Sequence, residues 1–123
     1  MADTAITPTQ LGRNAGTVAV SSTSLATIVS AGGATIADCD VDKLVLVFDN
    51  TAAATKDVTA EAGDSIYPAV RSGQGDLVVT MGANTGSAVL AGLDSGRFRK
   101  ADGSLRFTLA SGTTGTVKAF YLP

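Results

Sequence analysis

At 123 residues, 12.2 kDa and a formal charge of −2, the chain is sized for one domain and lacks the net basic footprint of a nucleic-acid binder. It has no histidine and a single cysteine, Cys39. That excludes Ser-His-Asp and Cys-His catalysis in their usual forms, His-containing and Cys-cluster metal sites, and an intrachain disulfide. Aromatics make up only 5% of the chain, so the core falls to Val, Leu, Ile and four Phe, and the many Thr and Gly between short apolar runs predict an all-β fold.

Residues 1–15 lack sustained periodicity and carry Pro8. They read as an extended N-terminal arm, either a frayed terminus or a segment that lies on a neighbouring subunit, with Ile6 and Leu11 as its apolar anchors. Residues 16–123 form the folded domain. Gly16–Ser21 alternates Val18 and Val20 with small residues and predicts the first core strand; Ser21–Ser24 reads as a turn. Leu25–Ser30 predicts a second strand, with Leu25, Thr27 and Val29 on one face, broken by Ala31–Ala34 before a brief extended piece at Thr35–Ala37.

Asp38, Asp40 and Asp42 alternate along the chain and could share one side as oxygen ligands for calcium. The spacing does not complete an EF-hand, since Lys43 stands where its glycine would be and Asp49 where its glutamate would be. A solvated turn is the other reading. Lys43–Asn50 is the strongest strand, and its run Leu44–Phe48 is the pattern of a strand covered on both faces. Short strands follow at Lys56–Ala60, Ser65–Val70 (an edge or loop, because of Pro68), Leu77–Met81 and Ser87–Leu90. The Ser72–Asp76 turn has two glycines but lacks the Lys-Ser/Thr of a phosphate loop.

Arg97, Arg99 and Lys100 are the one basic cluster, interleaved with Phe98. They offer a docking patch for an acidic protein surface; alternatively this is a solvated loop with Phe98 tucked into the core. Ser104–Ala110 sets Leu105, Phe107 and Leu109 against Arg106 and Thr108, and with Thr116–Leu122 it predicts a β-hairpin packed on a core. Strands about every ten residues with glycine-centred turns match a β-sandwich or barrel. No signal peptide is visible and no apolar run is long enough to span a bilayer, so a soluble protein of a reducing cytoplasm is expected, with no membrane partner. No enzyme activity, cofactor or metal is expected.

Three stretches, LVLVFDNTAA, LDSGRFRKADGSL and the closing TGTVKAFYLP, resemble small tailed-bacteriophage capsid decoration (cement, head auxiliary) proteins. The resemblance implies a single-domain antiparallel β-sandwich, jelly-roll-like, with the major capsid protein as partner and a homo-oligomer, a trimer above all. It implies a structural virion protein that binds the capsid exterior and stabilises the shell. A phage tail or head-fibre module that binds host-surface glycans or proteins is the alternative.

Overall fold

The computed structural model describes residues 3–13, 16, 21–62, 75–93, 95–100 and 102–123. The strand expected at Gly16–Ser21, the segment Ser65–Val70 with Pro68, and most of the Ser72–Asp76 turn lie outside the described residues. In chain order the elements are β1 (Thr4–Ala5), β2 (Thr9–Gln10), β3 (Ser22–Ser24), α1 (Leu25–Ala31), β4 (Ala34–Ile36), a 3-10 turn (Val41–Lys43), β5 (Leu44–Asn50), β6 (Lys56–Ala60), β7 (Leu77–Met81), β8 (Gly86–Ala91), α2 (Ser95–Phe98), β9 (Leu105–Leu109) and β10 (Gly115–Tyr121).

The strands build two mixed sheets. Sheet I runs β1-β4-β9-β6-β7; sheet II runs β2-β10-β5-β8, with β3 also on β10. Every pairing is antiparallel except those of β1 with β4 and β2 with β10. Leu44, Leu46 and Phe48 from sheet II and Leu105, Phe107 and Val58 from sheet I are fully buried in one core. The Phe48 and Phe107 rings meet edge-to-face at 5.4 Å between centroids, so the most heavily patterned strand of each sheet contributes to the same contact.

Several expectations need correction. Leu25–Ser30 is a helix, not a strand. Ser24 caps it, its hydroxyl accepting from the Thr27 N–H at 3.4 Å; Leu25 and Ile28, one turn apart, are buried; and Gly32, at φ 94, ends it. The β-branched Thr27, Ile28 and Val29 favour a strand locally, but the cap and the i, i+3 burial decide the outcome. Ser22–Ser24 is a strand rather than a turn, because β10 offers it an edge, pairing Ser24 with Thr116 and Ser22 with Lys118.

β9 and β10 do not form a hairpin. β9 pairs with β4 and β6, β10 with β5, and the connection between them crosses from sheet I to sheet II. Gly112 and Gly115 take positive φ there, and a side chain at Gly115 would overlap the Asp49 carbonyl oxygen. β5 is central, as its apolar run predicts, but only one of its faces is in the core. Leu44, Leu46, Phe48 and Asn50 point inward, while Val45 and Val47 are only half-buried and Asp49 is exposed.

Residues 3–13 carry β1 and β2 and pair with this same chain. The Thr4 N–H donates to Gly33 O and the Ile6 N–H to Thr35 O on sheet I; the Leu11 N–H donates to Tyr121 O on sheet II. The segment therefore straps one sheet to the other.

Candidate functional site

The basic cluster hangs on Phe98, which is 3% exposed and so is tucked into the core, as one of the two sequence readings expects. Burying that ring holds α2 down and fixes where its neighbours emerge. Arg97 lies over the Phe98 ring at 4.8 Å, with its Nε donating to Gly75 O at 3.0 Å and its Nη2 to Asp76 O at 3.3 Å. It ties α2 to the approach to β7. Arg99 is exposed beside Gly103 and makes no hydrogen bond or ion pair among the described residues. Lys100 Nζ stands 3.7 Å from Glu61 Oε1.

Glu61 connects this cluster to residues 3–13. Its other carboxylate oxygen pairs with Arg106 Nη1, and Arg106 Nε donates to Asp3 Oδ2 at 2.6 Å while its Nη2 reaches Asp3 Oδ1 at 3.2 Å. Arg106 is on the outward side of β9, so the sheet's alternation aims it at the strap. The Arg106 guanidinium first, and the Thr35 hydroxyl at 2.8 Å second, hold the Asp3 carboxyl below the usual carboxylate range despite partial burial. Arg106 is in turn raised above its ordinary value, chiefly by Asp3.

The five expected contact residues thus divide. Ile6 is 8% exposed and belongs to the core, packed under the strap, which removes it as a free anchor. Leu11 is half-buried against β10. Arg97 and Lys100 are engaged within the chain, and Arg99 is left open to solvent. Asp3, Glu61 and Arg106, which bring the strap and the basic cluster together, were not foreseen. The one signal for Arg106 was its polar slot in an otherwise apolar alternation.

In the stretch from Asp38 to Asp42, Cys39 and Val41 turn inward and the three aspartates are exposed. Among the described residues, no group of three or more Cys, Asp or Glu gathers to hold a metal ion. Burial, ahead of the neighbouring charges, pushes the Cys39 thiol up. Burial also pushes the Tyr121 hydroxyl up to about 12, while that hydroxyl accepts the Asp40 N–H at 3.3 Å. At the opposite end of the sheets, fully buried Asn50 donates to Ala54 O and Gly82 O and accepts from the Ala52 N–H, pinning two loops together.

What this arrangement offers is ion pairing and a shaped surface. No protein-family model, curated protein or solved structure matches the chain. Among the described residues, no helix is long and apolar enough to cross a membrane.

Proposed function

We propose that this chain is a structural virion protein of a tailed phage, a jelly-roll β-sandwich that binds the outer surface of the capsid and stabilises the shell. The observation that carries the reading is the strand order. From β3 onward the strands divide between the sheets as β3-β10-β5-β8 and β4-β9-β6-β7, all antiparallel. Eight strands shared out in that order fit the double Greek key of a jelly roll, an architecture that recurs in capsid proteins, and so support the reading. The link from fold to function is by analogy and is joined by the resemblance. Two of the stretches that carry it, LVLVFDNTAA and TGTVKAFYLP, are neighbours, since Leu44–Asn50 pairs residue for residue with Gly115–Tyr121.

The physics asks for no catalytic group. A protein bound at many lattice positions adds interface energy at each and favours the assembled shell by mass action. Arg99, exposed and without an ion pair among the described residues, is the member of the basic cluster left available to an acidic patch on the major capsid protein.

Co-sedimentation with empty phage heads that lack the protein tests this. Saturable binding at a fixed ratio to the major capsid protein is expected, and Arg99→Glu should weaken it and lower its salt sensitivity. No binding by the folded protein would move the reading to a tail or host-contact module.

A further inference from the structure

We propose that the outward face of sheet II is an isologous interface, on which a second copy of this chain docks with its Lys118 opposite the first copy's Asp49. The inference is independent of the capsid reading. On that face the register sets Phe120, Val45 and Ala91 in one row across β10, β5 and β8, and Lys118, Val47 and Val89 in the next. Thr116, Asp49 and Ser87 form the third row. Val89 is 60% exposed, Ala91 is exposed, and Val45, Val47 and Phe120 are only half-covered.

Two observations choose the occupant. First, Leu44–Phe48 is apolar without interruption, the composition of a strand covered on both sides, yet among the described residues only one side of it is in the core. Second, the only charges in those three rows are one cation and one anion, Lys118 and Asp49. Both are exposed, and neither side chain makes a hydrogen bond or ion pair among the described residues. They lie on adjacent strands, diagonal to each other, since Asp49 pairs with Thr116 and Lys118 with Val47. A twofold axis in the plane of the face, along the perpendicular bisector of that diagonal, lays each lysine over the other copy's aspartate and runs beside Val47 and Val89, so that each of these two valines meets its own counterpart. A face neutral in sum and self-complementary in sign is what a twofold contact requires.

The size sets the strength. Four strand columns at about 4.8 Å and about seven residues at about 3.3 Å bound the footprint at roughly 440 Å² per copy, or roughly 900 Å² for the pair, at most. That lies below the range of permanent complexes, so the dimer should form and dissociate with concentration.

The test is sedimentation velocity from about 10 μM to about 1 mM, the range where an interface of this size titrates. The wild-type mass should move from one copy to two. Lys118→Glu and Asp49→Lys should each weaken self-association at least about tenfold, because each sets like charges face to face. Mixed one to one, the two variants should regain the two-copy species, since both cross-pairs are then opposite in sign. Both substitutions are at exposed positions, and circular dichroism will confirm that each variant folds. A wild-type mass of one copy throughout, a mass of three, single variants that associate like wild type, or a mixture that stays monomeric would each overturn the proposal. Wild-type protein that stays monomeric yet loses head binding on Val89→Glu would assign the face to the capsid instead.

Discussion

The two sheets are built alike toward the core and differently toward solvent. On sheet I the outward polar groups bond to one another, and among the described residues Val78 alone of the large apolar side chains stands exposed beside them. Arg106 joins Asp3 and Glu61, Thr35 donates to Asp3, and Thr80 donates to Asp57 at 2.6 Å. On sheet II the outward side chains Val45, Val47, Val89, Ala91 and Phe120 have only van der Waals partners to offer. The polar groups of one face are satisfied within the chain, and the other face leaves a larger share of apolar surface to water. The strap of residues 3–13 follows the same division, ion-paired at sheet I and held at sheet II by the Leu11 N–H and by Gln10 Nε2 on the carbonyls of Tyr121 and Leu122.

The largest expected effect ignores the contrast and breaks what the sheets share. Phe48→Ala or Phe107→Ala removes one ring of the edge-to-face pair and leaves a cavity between the sheets. Either should cost about 3–5 kcal/mol in urea unfolding. Neither substitution should favour one sheet over the other, which amide exchange resolved by strand would check.

Next comes the contrast itself. Arg106→Ala leaves Asp3 with the Thr35 hydroxyl and Glu61 with Lys100, and should cost about 1–2 kcal/mol, whereas Val47→Thr on the outward face of sheet II should cost monomer stability about 0.5 kcal/mol or less. Equal losses at dilute protein would erase the distinction between the faces.

A smaller effect depends on pH. Because the folded protein depresses the Asp3 pKa, its contribution is fully present above the ordinary carboxyl value of about 3.9 and is lost as pH falls through the lower folded value. The melting temperature of Asp3→Asn should therefore lie below wild type at pH 7, and the gap should close in acid below about pH 4. A gap that stays constant would mean that Asp3 acts through packing alone.

The strands that alternate against a single core were legible in the sequence. β6, β7 and β9 emerge close to their expected bounds because period-2 burial is written locally, and β5 because its apolar run is. What stayed hidden depends on distant partners. β3 has no apolar pattern of its own and exists because β10 presents an edge. β9 and β10 read as a hairpin because alternation says nothing of which strand sits alongside. Asp3 and Arg106 are 103 residues apart, so no window along the chain could join them. The uninterrupted run of β5 was read as a strand covered on both faces, and the sequence carried that signal although among the described residues only one of them is in the core.

Val89 and Val78 provide the closest matched test of the contrast. They are 60% and 55% exposed, on the outward faces of sheet II and sheet I respectively. Each is replaced by Glu, and the mass in solution is followed by sedimentation velocity as concentration rises. The account predicts that Val89→Glu stays a single copy while Val78→Glu associates like wild type, with both proteins folded. If both substitutions had the same effect, or if only Val78→Glu abolished association, the assignment of sheet II as the interacting face would be contradicted.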